Sequence, residues 1–184
     1  MLRVGLGRLI GVVPHRIRFA RGPAGKPYLL EPSFARSLRF NLAHSDGFAV
    51  FAATVGREVG IDVERVHEHP DLFAVAAGCF SPYEQATLTA TPLPDRTAAF
   101  YRCWTRKEAY VKAIGAGLQA KLDDFDVGFA ADDPPALRRV AWQLSEPTHW
   151  RMEALNLPPG YIGAVVYRRG SPITDTVNEI QEWT

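Results

Sequence analysis

An Asp-Gly pair at residues 46–47 does most to limit how this chain can fold. It is preceded by residues 37–44, which have Leu38, Phe40 and Leu42 on one face, and followed by the apolar residues 48–54. Asp-Gly between two such segments signals a tight β-hairpin, because both residues tolerate the positive φ angles of that turn. Residues 48–54 are apolar on both faces, which indicates a central buried strand. A further turn at Gly56 and a strand at residues 60–66 complete a predicted antiparallel meander.

The middle of the chain has the sequence signals of helices. Ser81-Pro82-Tyr83-Glu84 combines an N-cap serine, a proline at the first helical position and a glutamate that completes a capping box. Residues 97–114 predict a long helix that ends at the glycines of 115–117. Strands are predicted at residues 125–129, 141–144, 150–155 and 161–167, a short helix at 1–13 and a loop at 21–28. Segregated helices and strands favour an α+β fold over a βαβ winding.

Composition and cysteine usage exclude several classes of protein. A hydrophobic content of 47%, a charged content of 22% and a net charge of +1 are ordinary for a folded domain and argue against bulk binding to nucleic acid or membrane. Cys79 and Cys103 form no CxxC pair, so a disulfide framework or zinc site is not indicated. Arg3 and Arg8 interrupt the apolar start before it reaches signal-peptide length. We therefore expect a soluble, cytoplasmic protein with neither a membrane nor a nucleic-acid partner.

Two carboxylates stand two residues apart on the predicted third strand. Asp62 and Glu64 therefore project from the same face of the strand. A pair of hard oxygen ligands suits magnesium, which takes one or two carboxylates and fills its shell with water and phosphate. The other interpretation is an edge strand with two solvated acids, and spacing alone favours it.

The long predicted helix carries a second polar group. Trp104, Glu108 and Lys112 follow each other at intervals of four residues and share a helix face. If that face meets the acidic strand, Glu108 adds a third carboxylate to a shared cation and the lysine balances phosphate charge. If it faces solvent, the two form an ordinary surface ion pair worth a few tenths of a kcal/mol.

Basic residues near the hairpin leave two interpretations open. His44 lies at the hairpin tip, and the meander would return the third strand to about 10 Å from it, a distance a diphosphate could span. Lys26 and Arg21 lie in the predicted Gly/Pro loop, where they could clamp a phosphate. All three could equally be solvated side chains.

Five short strings in a fixed order then carry a resemblance. They are GKP at 25–27, FNLAHS at 40–45, GIDVE at 60–64, FSPYE at 80–84 and WTRKEAYVKAIGAGL at 104–118. The ordered set resembles the 4′-phosphopantetheinyl transferases of the surfactin-synthetase-activating type. Its most specific part is the pattern W-x-x-K-E-A-x-x-K-x-x-G-x-G-L. The match runs from about Arg18 to Leu118.

The resemblance implies a fold and an activity. The fold is α+β, with two similar halves related by a pseudo-twofold axis, each a small antiparallel sheet packed with helices. Residues 1–58 would be a shortened first half with the nucleotide contacts, and residues 59–184 the half with the magnesium site and catalytic helix. The activity is transfer of the phosphopantetheine arm from coenzyme A, the co-substrate, to a serine of an apo acyl or peptidyl carrier protein. Adenosine 3′,5′-bisphosphate is released, and the family type suggests a monomer.

The same resemblance assigns roles to residues by motif position. Asp62, Glu64 and Glu108 would hold Mg²⁺, and Glu108 would also be the general base for the incoming serine. The implied catalytic residues are Glu108, Lys112 and His44. The implied coenzyme contacts are Arg21, Lys26, His44, Ser45 and Lys112.

Two departures from the family pattern define the alternatives. Ala43 stands where the family often has serine before the histidine. Family members also usually carry several dozen residues ahead of the segment that begins here at Met1. One alternative is therefore an inactive module that binds coenzyme A or a carrier protein. Another is an unrelated magnesium-dependent phosphohydrolase that uses the same three acids.

Overall fold

The computed structural model describes residues 2–170 and 179–182. This part of the chain contains four α-helices and ten β-strands, joined by loops and short 3-10 helices. The helices are α1 (Leu2–Ile10), α2 (Leu72–Cys79), α3 (Pro82–Ala90) and α4 (Leu93–Ile114). The first five strands are β1 (Arg18–Arg21), β2 (Pro27–Glu31), β3 (Leu38–Ser45), β4 (Phe48–Val55) and β5 (Val59–Arg65). The others are β6 (Phe125–Gly128), β7 (Ala136–Val140), β8 (Trp150–Ala154), β9 (Tyr161–Arg168) and β10 (Glu179–Glu182).

The predicted hairpin is confirmed. Strands β3 and β4 pair antiparallel without a break up to Ser45 and Phe48, so the connecting turn has two residues. Asp46 and Gly47 adopt φ angles of 47° and 78° in that turn, the conformation that an Asp-Gly pair permits. β4 lies between β3 and β10 and is buried along all but its last residue. The prediction of a central strand is therefore also correct.

The predicted meander is wrong at its third strand. β5 does not pair with β4 but runs antiparallel to β9, in a second sheet of order β5-β9-β8. Both edges of β4 are already taken by β3 and β10, whereas β9 offers β5 a partner over its whole length. β3 and β5 still lie side by side, joined by the Asn41 side-chain oxygen, which accepts a hydrogen bond from the Ile61 backbone N–H at 2.8 Å.

Helix α4 packs against the second sheet and encloses the largest core cluster. Tyr110 of α4 is fully buried between Phe125 and Trp150, with ring centroids 5.0 and 5.6 Å away in edge-to-face arrangements. The capping box at the start of α3 is present as predicted. The Ser81 hydroxyl accepts the backbone N–H of Glu84, and the Glu84 carboxylate accepts the backbone N–H of Ser81. The contact between Tyr110 and Trp150, the first residue of β8, packs α4 against the sheet that carries β5.

Other element predictions differ from the structure in detail. The predicted strand at residues 141–144 is wrong: the strand is β7, which ends at Val140, and Leu144 is 88% exposed. The predicted loop at residues 21–28 connects two short strands, β1 and β2, and overlaps their ends. Helix α2 has no counterpart in the sequence prediction. These short elements depend on pairing or packing with distant segments, which local patterns do not report.

The fold class is α+β with small antiparallel sheets, as predicted. Within residues 2–170 and 179–182, no helix combines the length and the apolar content needed to cross a membrane. The division into similar halves at residues 58 and 59, with its pseudo-twofold axis, stays a prediction.

Candidate active site

Two of the three predicted catalytic residues, Glu108 and Lys112, lie on one face of α4, and the third, His44, lies on β3. Trp104, Glu108 and Lys112 follow each other one helical turn apart, and all three are half-buried. The opposite face of the helix packs Tyr110 into the core. Gly115 ends the helix in the left-handed conformation, with a φ of 68°. The alternative of an ordinary surface ion pair between Glu108 and Lys112 is wrong, because both side chains are half-buried and Lys112 pairs with Asp62.

Strand β5 approaches α4 so closely that only glycine fits at the contact. A Cβ atom on Gly60 would lie 2.1 Å from the backbone oxygen of Ala109 and 2.3 Å from the backbone nitrogen of Ala113. Asp62 and Glu64 are two and four residues further along β5, so they project from the same face as Gly60. This close approach brings the two acids to the polar face of the helix.

Asp62 is a buried carboxylate with one satisfied oxygen. It is 4% exposed, and its Oδ1 atom accepts a hydrogen bond from Lys112 Nζ at 2.5 Å. Its Oδ2 atom is sealed from solvent and has no hydrogen-bond partner among the described residues. Burial raises the pKa of Asp62 to about 7, and the neighbouring Lys112 ammonium only partly opposes this shift. The interpretation of Asp62 as a solvated edge residue is therefore wrong.

Glu64 is held by the neighbouring strand. The Ser45 hydroxyl donates to Glu64 Oε2 at 2.7 Å and accepts the Arg65 backbone N–H at 3.1 Å. Ser45 therefore joins β3 to β5 and fixes the position of Glu64. Its implied contact with a coenzyme stays a prediction.

Glu108 completes a group of three acids that interact electrostatically. Burial raises the pKa of Glu108, Lys112 lowers it and Glu64 raises it further. Both Glu64 and Glu108 also raise the pKa of Asp62. The three carboxylates therefore repel one another, and Lys112 supplies the positive charge that partly offsets this repulsion at Asp62 and Glu108.

These residues fit a divalent cation. Asp62 Oδ2 is a buried acceptor without a donor, and a cation beside it would relieve both its desolvation and its repulsion by the other acids. As the described side chains are placed, no three His, Cys, Asp or Glu groups stand close enough together to hold one ion. Magnesium needs only one or two protein carboxylates beside water and phosphate oxygens. The three-acid ligand set stays a prediction, with Asp62 as its best-supported member.

A cleft of about 600 Å³ opens on the polar face of α4. It lies between that helix, the chain around residues 24–27 and β3. Three residues with predicted roles line it: Lys26, Glu108 and Lys112. Trp104 and Asn41 add an aromatic wall and an amide. The cleft thus combines cations, an acid and apolar surface, as a pocket for a charged small molecule does.

Lys26 lies at the wall of the cleft with all its donors in use. Its ammonium group donates to Glu58 Oε2 at 2.9 Å, to the Val59 carbonyl at 3.0 Å and to the Ala113 carbonyl at 2.9 Å. Burial lowers the pKa of Lys26, against the opposing effect of Glu58. In this arrangement Lys26 ties the start of β5 to the end of α4. Its predicted contact with a phosphate stays a prediction.

His44 and Arg21 are not brought into the cleft. His44 is exposed on β3 opposite Ala49, and Arg21 is exposed at the end of β1. Neither side chain makes a hydrogen bond or ion pair with a described residue, and neither lines the cleft. Their predicted roles in binding a coenzyme stay predictions.

Sequence reasoning assigned no role to two residues of the cleft wall, Asn41 and Trp104. Asn41 is 9% exposed, although asparagine is rare in buried strands. The signal available in the sequence was the position of the polar Asn41 in the middle of the predicted strand, between Phe40 and Leu42. Trp104 stacks on Phe100 with ring centroids 6.2 Å apart, so its ring is held in place from within α4.

Comparisons with known proteins agree with this geometry. The sequence model of the 4′-phosphopantetheinyl transferase superfamily matches residues 58–166, which include β5, α4 and all three acids. The 4′-phosphopantetheinyl transferase HetI of Nostoc is 37% identical over 147 residues, covering 79% of this chain and 62% of that protein. The 4′-phosphopantetheinyl transferase Sfp of Bacillus subtilis is 34% identical over 116 residues, covering 63% of this chain and 49% of that protein.

The chain spans about half to six-tenths of the length of these curated relatives. A solved structure, titled as the Chronobacterium ammoniagenes ACPS-CoA complex, aligns with a TM-score of 0.46 at 18% identity, covering 63% of this chain and 98% of that chain. Because the superfamily match covers more than half of the residues, the chain belongs to the 4′-phosphopantetheinyl transferase superfamily.

Proposed function

We propose that this chain transfers the 4′-phosphopantetheine arm of coenzyme A to a serine of an apo carrier protein. The observation that carries the proposal is a cleft lined by Glu108 and Lys112, with the buried Asp62 hydrogen-bonded to Lys112 at its wall. A proton acceptor, a cation and a carboxylate suited to magnesium are what a phosphoryl-type transfer from a diphosphate requires. Membership of the superfamily supports the same activity.

Glu108 is the proposed general base. The carrier serine loses its hydroxyl proton to the Glu108 carboxylate, and its oxygen forms a bond to the phosphorus that bears the pantetheine arm. The bond from that phosphorus to the bridging oxygen breaks, and adenosine 3′,5′-bisphosphate leaves with the electron pair. The raised pKa of Glu108 suits this role, because it brings the group closer to the working pH of a base.

Lys112 and the acids of β5 have the complementary task. Lys112 neutralises charge on the diphosphate as it is cleaved. Asp62, with Glu64 or Glu108, would hold Mg²⁺, which supplies further charge neutralisation on the diphosphate oxygens. Trp104 and the apolar wall of the cleft exclude water from the reacting groups.

The remaining assignments are part of the same proposal. Residues 1–58 would supply nucleotide contacts through Arg21, Lys26, His44 and Ser45, and residues 59–184 the metal site and the catalytic helix. We expect the protein to act as a monomer in the cytoplasm, where coenzyme A and carrier proteins are available to it.

Incubation with coenzyme A, Mg²⁺ and an apo carrier protein tests the proposal by intact mass spectrometry. The expected result is a gain in carrier mass equal to the phosphopantetheine arm. The variant Glu108→Gln should form the modified carrier about 10²–10⁴-fold more slowly. Asp95→Asn is the matched control, because it replaces a carboxylate by an amide at an exposed position in the first turn of α4, more than three turns away.

Two other results would overturn the proposal in different ways. Binding of coenzyme A without any mass gain would identify a binding module without transferase activity. Cleavage of coenzyme A in the absence of a carrier would identify a phosphohydrolase that uses the same acids.

A further inference from the structure

Asn41 has a side chain whose two ends face different parts of the molecule. It lies in the middle of β3 and is 9% exposed. One end contacts β5, and the side chain also lines the 600 Å³ cleft that holds Glu108 and Lys112. A buried amide is costly unless both its ends find partners, so both ends of this one call for an explanation.

The oxygen end joins the two sheets. Asn41 Oδ1 accepts the backbone N–H of Ile61 at 2.8 Å. Since only the oxygen of an amide can accept this hydrogen, the orientation of the amide follows from the contact. Ile61 directly precedes Asp62, so Asn41 holds the backbone that positions the buried carboxylate. Among the described residues, this side-chain bond and that of Ser45 link β3 to β5 on either side of Asp62.

The nitrogen end is left free at the cleft. Asn41 Nδ2 has no hydrogen-bond partner among the described residues, yet it is not among the polar atoms that are sealed from solvent without one. Its two N–H groups are therefore available to a ligand in the cleft. Glu108 and Lys112 line the same cleft, so a ligand held by them occupies the cavity that Asn41 also lines.

We propose that Asn41 is a positioning residue for the diphosphate of coenzyme A, which it contacts through Nδ2 while Oδ1 holds the β5 strand beside it. This inference rests on the proposed function, since it concerns the same cleft and substrate. A hydrogen bond from a neutral amide to a phosphate oxygen is charge-assisted and therefore stronger than one between neutral groups. Asn41 would thus orient the diphosphate against Lys112 from the opposite wall of the cleft.

The variant Asn41→Asp separates the two ends of the side chain. Aspartate keeps an oxygen to accept the Ile61 N–H, so the link between the strands remains. It replaces the two donors by a second oxygen and adds a negative charge that repels the diphosphate. We expect the Kd for coenzyme A, measured calorimetrically with Mg²⁺ present, to rise about tenfold or more.

Asn156→Asp is the matched control. It makes the same change at an exposed residue that does not line the cleft. Its Kd for coenzyme A should stay within about twofold of the parent value, because a distant surface charge is screened by salt. Its thermal midpoint should lie close to the parent's.

A second measurement uses the parent protein and needs no substitution at residue 41. The chain contains three asparagines, at positions 41, 156 and 178, so selective ¹⁵N labelling of asparagine gives three side-chain amide signals. Asn156→Asp and Asn178→Asp assign the other two. Titration with coenzyme A should shift the Asn41 Nδ2 signal and slow its exchange with solvent, with a midpoint at the calorimetric Kd.

The outcomes separate this inference from the proposed function. An unmoved Asn41 signal, or parent-like affinity in a folded Asn41→Asp variant, would overturn the inference while the parent's transferase activity stands. If the parent does not bind coenzyme A, the proposed function fails and this inference fails with it. If Asn41→Asp does not fold, the amide signal of the parent still decides the question.

Discussion

Helix α4 contributes two lysines that each pair with a carboxylate, and the two pairs differ in how completely they are satisfied. Lys107 and Glu84 are both fully buried and lie 2.6 Å apart. Lys112 and Asp62 lie 2.5 Å apart, but the lysine side chain is 30% exposed at the cleft. The same chemical pair therefore occurs once in the core and once at the proposed active site.

In the core pair, both carboxylate oxygens and the ammonium group have additional partners. Glu84 accepts backbone N–H groups of Ser81 at 2.9 Å and Val127 at 2.8 Å. Lys107 donates to the Phe125 carbonyl at 2.6 Å and lies 4.3 Å from the centre of its ring. A buried ion pair is tolerated when its remaining polar groups are paired in this way.

In the cleft pair, one carboxylate oxygen is left without a partner. Asp62 Oδ2 is buried and unpaired among the described residues, and the pKa of Asp62 is raised to about 7 by burial. The pair at the cleft thus keeps one carboxylate oxygen without a hydrogen bond, and a bound cation could supply its missing partner. Completeness of hydrogen bonding, rather than residue type, therefore separates a structural pair from a functional one on the same helix.

The largest effect should be the loss of transfer rate when Glu108, the proposed general base, is replaced. Glu108→Gln keeps the shape of the side chain but removes the proton acceptor. We expect the transfer rate to fall by about 10²–10⁴-fold, the usual contribution of a general base. The rate of holo-carrier formation by mass spectrometry measures this, and the thermal midpoint should not change. A rate near that of Asp95→Asn would show that Glu108 is not the base.

Removing each lysine tests the comparison itself. Lys107→Met leaves a buried Glu84 charge without its partner and should lower the free energy of unfolding by about 3–5 kcal/mol. Lys112→Met should lower it by less than about 1 kcal/mol, because Asp62 can take up a proton instead. Urea denaturation measures both.

The activities of the two lysine variants should follow the opposite order. Lys112→Met should slow transfer by about 10²–10³-fold through loss of charge neutralisation. The part of Lys107→Met that stays folded in dilute buffer should be less affected. Equal losses of stability in the two variants would contradict the distinction between a satisfied and an open pair.

The contact between β5 and α4 should be less costly to disturb. Gly60→Ala places a methyl group against the backbone at Ala109 and Ala113, and overpacking of this kind costs about 1–3 kcal/mol. Displacement of β5 should also lower transfer activity. Gly78→Ala is the control, since no atom lies within 4 Å of an added Cβ there. Denaturation curves that show the same change for both variants would argue against this contact as the element that positions Asp62.

The smallest effect concerns the pH dependence of two buried aspartates. The folded-state pKa of Asp62 is raised, so its ionised form destabilises the fold above that pKa, and stability falls as pH rises from about 4 towards 7. In metal-free buffer, Asp62→Asn should be more stable than the parent by at least about 1 kcal/mol at pH 8, and this difference should shrink as the pH is lowered to 5.

Asp126 provides the opposite case. Burial alone would raise its pKa, but hydrogen bonds from Arg139 and Ser81 lower it overall. Its stabilising contribution is therefore present above the ordinary pKa of aspartate and is lost only as pH falls below it. Asp126→Asn should be less stable than the parent at both pH 5 and pH 8. The free-energy difference between Asp126→Asn and the parent should therefore be the same at pH 5 and pH 8. If it changed with pH as the difference for Asp62→Asn does, the assignment of opposite pKa shifts would fail.

Local sequence chemistry was enough for the elements that depend on neighbours in the chain. The turn at Asp46 and Gly47 and the capping box of Ser81 and Glu84 were predicted correctly, because their hydrogen bonds or φ angles involve residues at most three positions apart. The end of α4 at Gly115 was predicted for the same reason.

Pairing between distant segments could not be read from the sequence. β5 pairs with β9, about a hundred residues later, because the nearer strand β4 has no free edge. In the site, the i, i+4 spacing on α4 placed Glu108 and Lys112 together, but nothing local revealed that Asn41 lines the same cleft. Its position depends on β3 and β5 lying side by side, which only the fold determines.

A crystal structure with coenzyme A and Mg²⁺ tests the central claim most directly. We predict an ion bound by Asp62 Oδ2 together with Glu64 or Glu108, and a diphosphate in the cleft beside Lys112. A coenzyme bound elsewhere on the molecule, or an Asp62 that keeps Oδ2 unpaired with no ion beside it, would contradict the account.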